Sequence, residues 1–363
     1  MIPILNLNPE IEQLRPEINK AIARVIDTTQ FIMGPEVKSF EREVADYLGV
    51  KYALGVNSGT DALVIALRTL DIGPGDEVIT TPFSFFATAE SIGIVGAKPV
   101  FVDIDAASFN INIDLIEDAI TSKTKAIMPV HLYGRPCNMD AIMDIAKRHD
   151  LKVIEDCAQS FGARYNESHT GTIGQVGAYS FFPSKNLGAF GDGGLIATND
   201  EGIAEMADKL RKHGAVKKYH NEILGYNSRL DSIQAAVLRV KLPYIDSWNE
   251  GRIKAAHHYN RYFDGIEGIK APEIVEGHIF HQYTVCFEAK KRDKIQAFLK
   301  NNGIGTMIYY PIPQDQLPIY AGQYEEMPVS LQLGNEVLSL PIGPSISEHD
   351  LKTVAEAVIK AIQ

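Results

Sequence analysis

The chain has 363 residues, 45% hydrophobic and 22% charged, with a formal net charge of −11. That length buries a large core and suits two lobes, and the acidic balance argues against nucleic-acid binding. No apolar run reaches a membrane span, the start Met1-Ile2-Pro3 has no basic leader, and Cys137, Cys157 and Cys286 offer neither a full set of pairs nor metal-like spacing, so a cytoplasmic, reduced protein with no membrane partner and no metal is expected.

Seven short runs rich in Val, Ile, Phe or Tyr predict strands at 52–57, 77–81, 99–104, 125–132, 152–156, 177–182 and 194–198. Helical spacing of apolar residues predicts helices between several of them, at 61–70 and 139–148. Strands alternating with helices imply an α/β domain whose mostly parallel seven-stranded sheet is flanked by helices. A long helical stretch follows at 231–262, with Pro243 marking a break. Beyond it the pattern changes: a strand at 282–288, a helix at 292–301, a strand at 305–310, and a final helix opening with Ser347-Glu348-His349-Asp350. The expected division is therefore a large α/β domain at 1–240 and a smaller α+β domain at 241–363.

Three groups in this frame carry chemistry. Asn57-Ser58-Gly59-Thr60 ends a strand and opens a helix; free N–H groups there suit a phosphate, although Ser58 or Thr60 would equally serve as a plain cap. Asp156 closes a predicted parallel strand, where ligands collect in such sheets, but it could also be a cap or an ion-pair partner. Lys185 follows an apolar strand in the constrained run Phe182-Pro183-Ser184-Lys185-Asn186 and precedes Gly191-Asp192-Gly193-Gly194. An imine-forming lysine, a carboxylate for a pyridine nitrogen and a phosphate cradle together suit pyridoxal 5′-phosphate (PLP). Ser180 can add a hydroxyl to the phosphate cup. In Phe83-Ser84-Phe85-Phe86, core packing is the plainer role for Phe83 and Phe86. The basic run from Lys209 to His220 reads as a solvated helix end or a diphosphate attractor. His257, His258, His278 and His281 have no ligand spacing, and Cys157 reads as a small buried filler.

These motifs, with Gly34-Pro35-Glu36-Val37, Gly75-Asp76-Glu77-Val78-Ile79, Thr81-Pro82-Phe83-Ser84-Phe85, Gly225-Tyr226-Asn227-Ser228-Arg229-Leu230-Asp231 and Tyr309-Tyr310-Pro311, resemble the DegT/StrS family of PLP-dependent nucleotide-sugar aminotransferases of fold type I. The resemblance implies that Lys185 carries the cofactor and Asp156 pairs with its ring nitrogen. It places Gln159 near the ring hydroxyl, Phe85 on the ring face, and Ser58, Gly59, Thr60 and Ser180 at the phosphate. It draws Asn227 to the phosphate and Arg229 to the substrate from a partner subunit in a homodimer with shared sites. Tyr309 stands where many members have a histidine near the sugar, and Gln314-Asp315 stands where they have Leu-His, which touches the identity of the sugar. The implied reaction moves an amino group from L-glutamate to a nucleotide-diphosphate keto sugar in amino-sugar or glycan biosynthesis. Gly191-Asp192-Gly193-Gly194 favours C3 over C4. Alternatives are a C4 enzyme, another PLP enzyme of this fold such as a dehydratase (whose members carry histidine in place of the lysine) or an amino-acid transaminase, and a non-catalytic regulatory homologue.

Overall fold

The computed structural model describes residues 1–363. Helices α1 (Asn8–Thr28) and α2 (Pro35–Leu48) precede the first strand; neither is among the expected helices. Each buries one stripe, Leu14, Ile18, Ala21 and Val25 on α1 and Val37, Phe40, Val44 and Leu48 on α2, as an amphipathic surface helix does. Strand β1 (Tyr52–Val56) then leads into α3 (Gly59–Thr69), β2 (Glu77–Thr80), α4 (Ala87–Ile94), β3 (Lys98–Phe101), β4 (Thr124–Met128), α5 (Met139–Arg148) and β5 (Lys152–Asp156). A small ribbon, β6 (Arg164–Tyr165) with β7 (Ser168–His169), precedes β8 (Val176–Ser180), β9 (Gly194–Thr198) and α6 (Glu201–Leu210).

The expected seven strands form one sheet in the order β1-β9-β8-β5-β4-β2-β3. β9 alone runs against its neighbours, antiparallel to both β1 and β8, while β8, β5, β4, β2 and β3 pair in parallel. Both faces are covered. On β5, Ile154 joins one buried cluster with residues of α3 and α6, and Val153 joins another with residues of α5; alternation along a strand sends neighbours to opposite faces. Strand β4 stops at Met128, short of the expected residue 132, because Pro129 has no N–H to continue the ladder.

A hairpin of β10 (Ala215–Lys217) and β11 (His220–Asn221) projects before α7 (Ser232–Lys241), which Asp231 caps by accepting from Ile233 N and Gln234 N, both at 2.9 Å. At Pro243 the expected break is a single 3₁₀ turn, Leu242–Tyr244, before α8 (Ile245–Phe263). The C-terminal part holds β12 (Ile269–Lys270), β13 (Tyr283–Phe287), α9 (Ala289–Asn301), α10 (Pro328–Glu336), β14 (Val337–Leu340) and α11 (Glu348–Ile362). Its three antiparallel strands pack with α8, α9 and α11 around Tyr259, Tyr283, Leu299, Leu338 and Val354. Residues 305–310 are not the expected strand. They touch β14 at one point, Met307 with Ser339, then turn inward and carry two tyrosines to the main sheet. The first residues also lie on this part: Ile2 N donates to Gly303 O at 2.8 Å, and Ile342 N donates to Ile4 O at 3.2 Å. No helix is long and apolar enough to cross a membrane.

Candidate active site

Parallel strands β1, β5 and β8 bring their C-terminal ends to one side of the sheet, and a cavity of about 410 Å³ lies there. Its lining includes Ser58, Gly59, Thr60, Phe85, Asp156, Gln159, Ser180, Lys185 and Tyr309. Nine of the eleven sequence candidates, from six separate loops and strand ends, thus share one cavity. Asn227 and Arg229 do not line it. They pair with each other on a neighbouring surface beside Lys212, His213 and the β10–β11 hairpin. Within the nearby basic run, Lys209 pairs with Glu222 at 2.8 Å and Lys212 pairs with Asp208, leaving Lys217 and Lys218 exposed on the hairpin.

At the cavity floor, Asp156 is buried. Its Oδ2 accepts from Thr88 Oγ1 at 2.8 Å and its Oδ1 from Ala158 N at 3.1 Å. Burial pushes the carboxyl up, and those hydrogen bonds, with the charges of Lys185 and His131, pull against it. A cation in the cavity would complete what these partners begin. Lys185 is held by its backbone N–H to Phe182 O at 2.8 Å. Burial lowers its amine from 10.5 to about 8, with Asp156 opposing, so roughly a tenth is uncharged and nucleophilic at pH 7, against far less for an ordinary lysine.

The phosphate cradle is a helix start packed against a strand end. Ser58 Oγ accepts from Asp61 N at 3.1 Å and caps α3, leaving the first N–H groups of the helix directed outward. A Cβ at Gly59 would lie 2.6 Å from Ser180 Cβ; only glycine lets the helix start come this close to β8. Phe85 is 61% exposed while Phe83 is fully buried, so of the two it is Phe85 that offers a free ring at the cavity. Gln159 is fixed at both ends: Oε1 accepts from Tyr133 N at 2.9 Å and Nε2 donates to Tyr310 Oη at 3.1 Å.

Among the lining residues not assigned to the site from sequence are Thr88, His281 and Tyr310. Thr88 lies in the first turn of α4, four residues past Ser84, a spacing that could have flagged it. His281 Nδ1 lies 2.9 Å from Asn186 Oδ1, whose amide nitrogen donates to Asn249 Oδ1 at 2.7 Å. Nδ1 therefore carries the proton and Nε2 keeps a lone pair. Burial, with the charges of Lys185 and Arg252, holds this histidine well below its ordinary value, so it is neutral. No local motif announces it. Glu155, next to Asp156, faces away from the cavity and accepts from Gly171 N, Ile173 N and Gly174 N at 2.7–2.8 Å and from His131 Nε2 at 3.0 Å. All three cysteines are buried and free, and burial pushes the Cys157 thiol well up.

The residues present fit PLP: a depressed lysine, a buried carboxylate with spare acceptor capacity, and a helix start opened by Gly59. Residues 12–359 match the model of the DegT/DnrJ/EryC1/StrS aminotransferase family. The chain is 50% identical to a pleiotropic regulatory protein of Geobacillus stearothermophilus, covering 98% of this chain and 97% of that one. It is 45% identical to a UDP-N-acetyl-3-dehydro-alpha-D-glucosamine 3-aminotransferase of Acidithiobacillus ferrooxidans, covering 99% and 98%. Among solved structures, DesV of S. venezuelae in complex with a ketimine intermediate superposes with a TM-score of 0.97 at 42% identity, covering 100% of this chain and 98% of that one. The chain belongs to the DegT/DnrJ/EryC1/StrS aminotransferase family.

Proposed function

We propose that this PLP-dependent aminotransferase moves an amino group from L-glutamate to C3 of a keto sugar carried on a nucleoside diphosphate, in the cytoplasm, for amino-sugar or glycan biosynthesis. The convergence of Lys185, Asp156 and the Gly59 cradle on one cavity carries the reading, and the 3-aminotransferase relative supports C3. When bound, PLP supplies an imine-forming aldehyde and an electron-accepting ring. Lys185 would hold the cofactor through Nζ, and its neutral amine, when free, would move the proton at the substrate's reacting carbon. Asp156 would keep the ring nitrogen protonated. Phe85 would lie against the ring, Gln159 would serve the hydroxyl side, and Ser58, Gly59, Thr60 and Ser180 would hold the phosphate. Tyr309 lines the substrate side.

Asn227 and Arg229 act, in this reading, across a homodimer. Phe31, Ile32 and Phe190 are all at least 42% exposed and flank the start of α7: Ser232 N donates to Phe31 O at 2.8 Å, and Phe190 N to Gln234 Oε1 at 2.8 Å. Exposed apolar residues gathered beside Arg229 suit a symmetric interface.

The name of the regulatory relative favours a second reading, a binding protein that keeps the fold. One experiment separates the two. The PLP-loaded protein is mixed with L-glutamate, and then with a panel of nucleotide-linked 3-keto and 4-keto sugars. Conversion of the cofactor's absorbance by glutamate and a 3-amino product by NMR are expected. No conversion would favour the regulatory reading, and a 4-amino product would overturn C3.

A further inference from the structure

Gln314, one of the departures from the family's pattern, is 1% exposed and does not line the cavity. It lies behind the turn that follows β2. Its backbone N–H donates to Pro82 O at 2.8 Å. Its side-chain Nε2 lies 3.0 Å from Ser84 O, 3.0 Å from Phe85 O and 2.7 Å from Ser84 Oγ. Three acceptors around one nitrogen fix the amide's orientation, because the flipped form would press its oxygen against two carbonyls. Gln314 Oε1 has no partner. A buried unpaired acceptor is costly, so the residue is poorly explained as core filler.

The hydroxyls beyond it line up in one direction. Ser84 Oγ accepts from Gln314, and its own proton goes to Thr88 Oγ1 at 3.0 Å, a nearer acceptor than Phe85 O at 3.3 Å. Thr88 Oγ1 then donates to Asp156 Oδ2 at 2.8 Å. Each group accepts one hydrogen bond and passes one on, and such chains polarise their members cooperatively. The same amide holds the carbonyl of Phe85, whose ring is at the cavity.

We infer that Gln314 is a positioning residue: through Ser84 and Thr88 it directs a hydrogen-bond donor onto Asp156, and through the Ser84–Phe85 carbonyls it fixes the turn that carries Phe85. It thereby ties the C-terminal part of the chain to the cofactor site. The inference rests on the assignment of Asp156 to the ring nitrogen.

The test uses full-length protein loaded with PLP. Gln314→Leu removes the donor at similar volume. The glutamate half-reaction at saturating PLP should slow roughly fivefold to tenfold, the size expected for losing one buried neutral hydrogen bond. The pH midpoint of the bound cofactor's absorbance should also shift, which loss of packing alone would not cause. Thr88→Val should do the same, and in its background Gln314→Leu should add less than about twofold, since both cut one chain. Ser84→Ala, a one-atom deletion at the middle link, should reproduce the slowing even if Gln314→Leu folds poorly. Native rates and an unshifted midpoint for Ser84→Ala, or fully multiplicative effects of Gln314→Leu and Thr88→Val, would overturn the inference. Asp156→Ala separates the two levels: if it is nearly inactive while Ser84→Ala is native, only the relay fails. If it is itself near native, the assignment of Asp156 fails.

Discussion

Lys185 and Asp156 attract each other while burial works against both charges, and the balance sets the chemistry. The cavity wall strips water from both, which favours the neutral lysine and disfavours the carboxylate; their attraction resists both effects. The uncharged amine is the form that would capture an aldehyde. The rate of PLP capture by the apoprotein should therefore rise with pH and level off above about 8. An inflection near 10.5, the ordinary lysine value, would mean that the amine sits in water. The same shift fixes a sign for stability. Between about 8 and 10.5 the unfolded chain holds a proton that folded Lys185 has released, so its contribution to apoprotein stability rises with pH across that window. Lys185→Ala should abolish turnover, and borohydride reduction followed by peptide mapping should label Lys185 and no other lysine. Asp156→Ala should raise the barrier by about 3–4 kcal/mol, as removal of one preorganised electrostatic partner does. Near-normal turnover with saturating PLP would show that Asp156 does not serve the ring.

At the scale of elements, the site depends on how closely β8 meets the start of α3. Gly59→Ala places a methyl 2.6 Å from Ser180 Cβ, so one element must shift. PLP affinity of the apoprotein should fall at least roughly tenfold, while melting changes little because the contact lies at an element end. Unchanged affinity in a titration by fluorescence would place the phosphate elsewhere. Glu155 governs a different junction. It collects three backbone N–H groups of the loop 171–174 and His131, anchoring the chain between β7 and β8 against β5. Glu155→Ala should cost about 3–5 kcal/mol of stability by leaving those donors buried and unpaired. Denaturant unfolding measures it, and a loss under about 1 kcal/mol would show that water replaces the carboxylate. The C-terminal edges of β2, β4 and β8 fall one, four and two residues short of the expected runs. Apolar sequence continues past the last ladder bond, and a proline or a turn decides where pairing stops.

For the whole molecule, the separation of Asn227 and Arg229 from the Lys185 cavity is the observation to explain. We propose that the symmetric dimer closes this gap. Lys185→Ala and Arg229→Ala, each nearly inactive alone, should recover about a quarter of native sites when unfolded and refolded together, since half the dimers are mixed and each holds one intact site. A mixture as inactive as its parents, with mixed dimers shown to form, would place Arg229 in its own chain's site. We also propose 1–240 and 241–363 as the working division of the chain. Its first residues cross over to bond with Gly303, Gly305 and Ile342, so removing residues 1–6 should destabilise the C-terminal part as well.

What the sequence determined by itself is whatever local pattern encodes. Seven strands, the break at Pro243, the cap at Ser347 and the candidates Lys185, Asp156 and Gly59, which share one cavity, are all legible, because periodicity, ring constraint and short motifs act between near neighbours. The resemblance added Phe85, Gln159 and the expectation about Arg229. What only the tertiary structure decided lies between distant segments. His281 reaches the cavity from the C-terminal part, Tyr310 meets Gln159 across 151 positions, and Gln314 meets Ser84 across 230. The inward turn of 305–310, apolar enough to pass for a strand, has the same origin: that segment pairs with β14 at one residue, and Ile308, Tyr309 and Tyr310 pack where Phe83, Ile104 and Val130, from loops beyond the large sheet's strand ends, meet Cys286, Leu333 and Val337 of the C-terminal part. Hydrophobic spacing records that a residue will be buried. Which surface buries it is settled when the two parts of the chain meet, and the polar residues at that meeting, Gln314 among them, have no periodic signal to announce their partners.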